Sequence, residues 1–276
     1  MLTVHAPPPA AAAWVSGAVV VHLRAGAAPS RFPAMTQAML TLRCAAPWGP
    51  GEAAGPVLPP VTFHTLATAP VMHAHEGEQR ALGWLVRPAA AACLLGASTG
   101  ALADHTLPWA VLAGEAEADR LTEALDQTTD DHARLRALLA SLGRALGRAA
   151  LPRLPEIDAL CSLVGRDGAQ AAATLGIGPR QLERRCQALL GVSPKRWQRL
   201  VRVEGALSRL LRGEALPGAA LAADAGLYDE SHLGRELRTL AGAPLRALLA
   251  EARPEGAGWA LASHRALAGA APLALP

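Results

Sequence analysis

Aromatic residues are nearly missing from this chain: six Trp, two Phe and one Tyr make up 3% of 276 residues. Lysine occurs once, as Lys195. No stretch of about 20 apolar residues runs without a charge or a proline, which excludes a transmembrane helix. No basic segment precedes an apolar one at the N-terminus, and prolines fill positions 7–9, so no signal peptide is expected. The four cysteines, Cys44, Cys93, Cys161 and Cys186, are far apart and form no CxxC pair. That spacing speaks against a disulfide framework and against a zinc site, and it fits a reducing, cytoplasmic setting. Nucleophile elbows, phosphate loops and paired-carboxylate signatures are lacking too. The chain is therefore expected not to be an enzyme, with no catalytic residue, no cofactor and no metal.

What is present is alanine-rich apolar sequence, 51% of the chain, in a length that suits two domains. The formal net charge is +3 and unevenly spread. Residues 1–150 hold 10 Arg against 11 Asp and Glu, a net −1. Residues 151–253 hold 14 Arg and Lys195 against 11 acidic residues, a net +4. A modest positive excess in the second half is what phosphate contacts require.

Residues 1 to about 115 read as strands and turns. The runs 18–23, 38–43, 61–65 and 81–86 are short and apolar or alternating, with Gly and Pro between them. Pro88 suits the first position of a short helix through Leu95. Helices are predicted from Glu115 to about Leu125 and from Asp130 to about Arg148. In the second of these, Leu135, Leu138, Leu139, Leu142 and Leu146 form a stripe that serves either packing within the chain or a dimer seam. The two prolines of 149–155 mark a linker. Beyond it helices dominate: 156–165, a long one from Lys195 to about Arg212, a turn at 213–218, and a short one from about Leu245 to Ala252. The Ala-, Gly- and Pro-rich tail 254–276 is expected to be disordered.

Two segments of this helical half share one pattern: an alanine-rich helix, a glycine turn, then a helix with one polar and one apolar face. The first is 169–186, turning at Gly176; the second is 221–237, turning at Gly226. Small residues let two helices cross closely, and glycine supplies the positive φ of a tight turn. This is a helix-turn-helix, which lays its second helix in the DNA major groove. In the first unit Leu175, Leu182, Cys186, Leu189 and Leu190 fall inward, while Arg180, Gln181, Glu183, Arg184 and Gln187 fall outward. Arg180 and Arg184 suit bidentate bonding to guanine. Glu183 either accepts from a cytosine amine or pairs with a neighbouring arginine.

Residues 157–250 resemble the DNA-binding domain of the AraC/XylS family of bacterial transcription regulators. The resemblance rests on Leu175 to Arg185 followed by Leu189 to Trp197, and on Ala222, Ala225, Gly226, Asp229, Ser231, His232, Leu233, Arg235, Leu237, Arg238 and Gly242. It implies an α+β chain: a β-rich, cupin-like sensor or dimerisation domain over 1–150, then over 156–253 an all-α domain with two helix-turn-helix units joined by a long helix. By position, the base-facing residues are Arg180, Gln181, Glu183 and Arg184 in the first unit and Glu230, Ser231, Gly234 and Arg235 in the second. Lys195, Arg196, Arg199 and Arg202 on the joining helix are expected as contacts to the DNA backbone, although some of these arginines must face inward. The implied function is a sequence-specific, effector-responsive regulator with its recognition helices in successive major grooves about 34 Å apart. Implied partners are double-stranded DNA, a small-molecule effector, a second copy of the chain and, for an activator, RNA polymerase.

Several positions depart from the family pattern. Leu227 and Leu237 replace aromatics, as does Cys186 in the first unit. Gly242-Ala243-Pro244-Leu245 shifts the cap of the last helix. Gly234 costs about 1 kcal/mol inside a helix. Glu230 and Glu236 bring negative charge near phosphates, so the second unit is expected to bind more weakly. The alternative reading is a cupin-type metalloenzyme fused to a DNA-binding module. For it, His73 and His75 share a side if they lie on a strand, but Glu78 follows too soon for cupin spacing, and Pro70 and Gly77 suggest a loop with Glu76 in it.

Overall fold

The computed structural model describes residues 1–44, 59–75, 77–96, 103–149, 151–212, 214, 218–252, 258–267 and 269–273. The N-terminal part is β-rich and the C-terminal part helical, as the sequence implies. Eight strands are described: β1 Leu2–His5, β2 Val15–Leu23, β3 Ser30–Phe32, β4 Ala38–Arg43, β5 Val61–His64, β6 Val71–His73, β7 Gln79–Val86 and β8 Thr106–Pro108. Six form one antiparallel sheet in the order β1-β2-β7-β4-β5-β8, and β3 pairs with β6 in a separate ribbon. His73 therefore lies in a strand, which corrects the loop reading at that residue; Glu76 lies outside the described residues.

One face of the sheet carries Leu40, Leu42, Leu82, Trp84 and Val86, all buried. Onto it packs a group of helices: α1 Pro88–Leu95, α2 Trp109–Ala113, α3 Glu115–Asp126 and α4 Asp131–Ala149. Trp84 Nε1 donates to the Leu135 carbonyl at 2.8 Å, fixing α4 against β7. Leu135, Leu138, Leu142 and Leu146 are fully buried, so the leucine stripe packs within the chain and not along a dimer seam. A polar core sits between α3 and α4. There the buried Glu117 accepts from Ser141 at 2.7 Å and from Arg144 and Arg120 at 2.8 Å, while Trp109 Nε1 donates to Ser141 at 3.0 Å.

The remaining helices are α5 Leu154–Arg166, α6 Gly168–Thr174, α7 Pro179–Leu190, α8 Pro194–Leu211, α9 Gly218–Asp224, α10 Glu230–Ala241, α11 Leu245–Glu251 and α12 Trp259–Leu267. The expected linker is no loose tether. A 3-10 turn at Leu151–Arg153 leads straight into α5, where Leu154 is buried and Pro155 is tolerated in the first turn. One core runs from the sheet through the alanine-rich α1 into α5 and α7, and it holds Cys93, Cys161 and Cys186, three thiols far apart in sequence. Burial pushes Cys161 up to about 12 and Cys186 up to about 11, so both stay protonated and inert.

The tail also departs from expectation. Over 258–267 and 269–273 it is ordered, and α12 covers the other face of the sheet. Trp259 meets Phe32 edge-on at 5.2 Å between ring centroids and donates to Ser30 Oγ at 2.5 Å. Beyond α12 the chain bonds to Ala6, just past the end of β1, through Ala6 N to Ala271 O at 2.9 Å and Leu273 N to Ala6 O at 3.1 Å. Val19, Val21, Leu23 and Leu85 leave this sheet face apolar, and Trp259 and Ala260 bury it. Composition alone, counting Ala, Gly and Pro, conceals that match. Residues 253–257, 268 and 274–276 of the tail, and 213 and 215–217 of the expected turn, lie outside the described residues. Among the described residues no helix is long and apolar enough to cross a membrane.

Candidate nucleic-acid interface

The two helix-turn-helix units close their turns in the same way. After α6, Ile177 N donates to Ala172 O at 3.0 Å and Gly176 N to Ala173 O at 3.1 Å. After α9, Leu227 N donates to Ala222 O at 2.8 Å and Gly226 N to Ala223 O at 2.9 Å. Both are the paired bonds of a Schellman cap, which requires positive φ at its glycine: +61° at Gly176 and +64° at Gly226. The starts of the helices are fixed locally as well. Asp167 caps α6 through Ala169 N at 2.8 Å, Ser193 caps α8 through Arg196 N at 3.2 Å, and Asp229 caps α10 through His232 N at 2.6 Å. Pro179 and Pro194 occupy first-turn positions in α7 and α8.

Helix α8 sets the separation. Its 18 residues span about 27 Å at 1.5 Å per residue. Trp197 Nε1 donates to the Cys161 carbonyl at 2.9 Å, anchoring its first half to α5. Leu200, Val203 and Leu207 anchor the rest in the core of the second unit.

On α7, Leu182, Cys186 and Leu190 are buried, while Arg180, Gln181, Glu183 and Arg184 are exposed on the opposite side. On α10, Leu233, Leu237 and Leu240 are buried, Glu230, Ser231 and Arg235 exposed, and Gly234 half-buried. Every base-facing residue proposed from sequence thus lies on a recognition helix, outside the apolar stripe. The Glu230 carboxylate folds back over Gly218, at the start of α9.

The joining helix departs from expectation. Lys195 is exposed, but Arg196 donates to the Thr68 carbonyl of the sheet domain. Arg199 donates to both carboxylate oxygens of Glu236 at 3.0 Å. Arg202 leans on Gly226 and reaches its carbonyl at 3.5 Å, and Arg209 pairs with Glu214 at 2.7 Å and Asp224 at 2.6 Å. Arg196 and Arg199 therefore hold the protein together where phosphate contact was expected of them. Glu236, expected to repel phosphates, is turned inward and 9% exposed. Its place on the buried stripe follows from its spacing with Leu233, Leu237 and Leu240, a signal that the charge of the residue obscured.

The sheet domain grips the second unit. Ala34 N donates to the Leu240 carbonyl at 2.6 Å. Arg31 donates to Glu251 and to the Gly242 carbonyl, both at 3.0 Å. Glu204 on α8 accepts from Thr36 N at 3.1 Å and from Thr36 Oγ1 at 2.6 Å. These contacts meet the C-terminal end of α10, α11 and the middle of α8, and none of them involves the exposed Glu230, Ser231 or Arg235.

The histidines considered for a metal lie away from this surface. His75 Nε2 is 2.7 Å from Ser30 Oγ, and His73 stacks edge-on with Phe32 at 5.0 Å. Burial, with His75 and Arg43 nearby, holds His73 down at about 4. Burial beside Arg43 and His73 holds His64 down at about 3. Among the described residues no group of three or more His, Cys, Asp or Glu is arranged to hold a metal ion.

Residues 171–252, which cover the first unit from Ala171 onward and all of the second, match the family model of a helix-turn-helix domain. No curated protein matches the sequence. Among solved structures, ToxT from Vibrio cholerae O395 aligns over 90% of this chain and 96% of that chain, at 10% identity and a TM-score of 0.49. A second crystal form of ToxT from Vibrio cholerae aligns over 84% and 97%, at 10% identity and 0.48. Unsaturated fatty acid-bound wild-type ToxT from Vibrio cholerae strain SCE256 aligns over 90% and 94%, at 10% identity and 0.49. The segment 171–252 of this chain, with its paired turns and long joining helix, is a helix-turn-helix domain.

Proposed function

We propose that the protein is a sequence-specific, DNA-binding transcription regulator of the cytoplasm. It places α7 and α10 in successive major grooves on one side of the duplex. The observation that carries this reading is a contrast among arginines. Arg180, Arg184 and Arg235 on the recognition helices are exposed and make no hydrogen bond or ion pair among the described residues, whereas Arg196, Arg199, Arg202 and Arg209 on α8 are bonded within the protein. Unpaired guanidinium groups on an outward helix face are suited to guanine edges and phosphates. Arg180, Gln181, Glu183 and Arg184 read the first half-site. Ser231, Gly234 and Arg235, with Glu230 at the helix start, face the second, and Lys195 meets the backbone.

The sheet domain is the sensor in this reading. The contacts of Arg31, Ala34 and Thr36 with the second unit give a small-molecule effector a route to the spacing of the recognition helices. A second copy of the chain and, for an activator, RNA polymerase complete the set of partners. The test is a mobility-shift assay on the DNA upstream of the protein's own gene, comparing wild type with Arg180→Ala and Arg184→Ala. Each variant is expected to lose affinity for its preferred sequence by about tenfold or more. Equal binding and unchanged sequence preference would overturn the assignment of α7 as the reading helix.

A further inference from the structure

Tyr228 is the only tyrosine of the chain and is 94% exposed, the most exposed of the large hydrophobic side chains among the described residues. It stands just before Asp229, the N-cap of α10. Ten residues on, Arg238 is exposed too, on the face that carries Ser231, Gly234 and Arg235, since 231, 234, 235 and 238 follow helical spacing. Neither Tyr228 nor Arg238 makes a side-chain hydrogen bond or ion pair among the described residues, and the Arg238 guanidinium lies over Gly234. Arg238 lies eight residues into α10, a rise of about 12 Å, and Tyr228 stands two residues before its first turn, so the two positions bracket the helix. The major groove is about 12 Å wide, so a helix lying in it with donors at these two points reaches the sugar-phosphate strand on either side.

We propose that Tyr228 and Arg238 are the backbone clamps of the second unit, one to each flanking strand, and that they fix the register in which Ser231 and Arg235 meet the bases. This rests on the DNA-binding reading above. The tyrosine hydroxyl donates to a phosphate oxygen, and the Arg238 guanidinium neutralises one phosphate on the opposite strand. Such contacts strengthen binding to every sequence and change no base preference. They also offset the gap in side-chain contact that Gly234 leaves at the middle of the helix.

The test uses the full chain and two duplexes: one enriched from a random library by the wild-type protein, and one scrambled version of it. Binding is followed by fluorescence anisotropy across a salt series. Tyr228→Phe and Tyr228→Ala are expected to weaken binding equally, by about threefold to tenfold on both duplexes, because the hydroxyl is the contact. Arg238→Ala is expected to weaken both as well and to make the slope of log K against log salt shallower by about 1. Thermal melting of all three variants should match wild type, since both side chains are exposed. Full affinity in Tyr228→Ala and Arg238→Ala would overturn the clamps while leaving the DNA-binding reading intact. A changed base preference in either variant would also overturn them, by making that residue a base reader. Failure of the wild type to enrich any duplex would instead overturn the DNA-binding reading, and the clamps with it.

Discussion

Arg199 and Glu236 lock the helix that joins the two units to the second recognition helix, through two parallel N–H···O bonds of 3.0 Å. A guanidinium fork on a carboxylate is directional as well as charged, so the pair fixes how α10 is rotated about its axis as well as where it sits. Glu236 is nearly buried, while Arg199 keeps about a third of its side chain in water. Removing the arginine strands the acid. Arg199→Ala is expected to cost about 1–2 kcal/mol of stability, a figure reduced for the solvent around the arginine. It should weaken DNA binding without Arg199 touching DNA. The double variant Arg199→Glu with Glu236→Arg should recover much of both losses, as thermal melting and anisotropy would record. A double variant no better than either single one would place Arg199 on the DNA instead.

The two turn glycines of the first unit should respond differently to alanine. Gly176 has φ of +61°, where a Cβ is strained although nothing lies within 4 Å of it. Gly178 has φ of −74° and serves as the N-cap of α7. Gly176→Ala is expected to cost about 1–2 kcal/mol and Gly178→Ala about 0.5 kcal/mol in urea unfolding. Equal costs would show that the turn is not held in the left-handed conformation in solution.

The C-terminal helix should be an anchor. Trp259 packs on Phe32 and bonds Ser30, and Leu261, two residues on, belongs to the core of the second unit. Trp259→Ala is expected to cost about 3–5 kcal/mol, the range for deleting a buried aromatic. It should loosen the second unit from the sheet domain, which hydrogen exchange at α10 and α11 would report. An unchanged melting temperature would mean that α12 does not hold this position.

Acid should destabilise the protein in two stages. His64 and His73 have values near 3 and 4 in the fold against an ordinary 6.5, so the fold favours their neutral forms. Their contribution is complete above about pH 6.5 and drains away as the pH falls toward 3. Glu117 follows. Burial alone would raise its carboxyl, but bonds from Arg144, Arg120 and Ser141 outweigh burial and hold it at about 2. Its contribution is complete above about pH 4.5 and lost as the pH falls through 2. His64→Gln should flatten the first stage and Glu117→Gln the second, as denaturation midpoints between pH 8 and 2 would show. Glu117→Gln should also lower stability at pH 7 by about 2–3 kcal/mol, because it leaves two arginines facing a neutral amide.

Local chemistry makes the two turns, and the outward faces of the helices that follow them, legible in the sequence. Gly176 and Gly226 mark turns because only a residue without a Cβ takes positive φ freely, Pro179 and Pro194 open helices, and the spacing of Leu182, Cys186 and Leu190 places Arg180 and Arg184 on the outside. Helices α3 and α4 are legible from a period of 3.6 residues, α1 from Pro88 at its first turn, and strands β2, β4, β5 and β7 from short apolar or alternating runs. The brief strands β1, β3, β6 and β8 are not legible there, since three or four residues carry too little periodicity and their partners are distant in sequence.

What each arginine does could only come from the folded chain. Arg196 and Arg199 look like Arg180 in sequence, yet their partners, Thr68 and Glu236, lie 128 and 37 residues away. The meeting of Cys93, Cys161 and Cys186 and the docking of Trp259 on Ser30 are of the same kind. Helical periodicity and turn geometry depend on near neighbours and can be read along the chain. Whether an exposed-looking charge is bonded, or an alanine-rich tail is ordered, depends on which distant surface it meets, and packing alone supplies that surface.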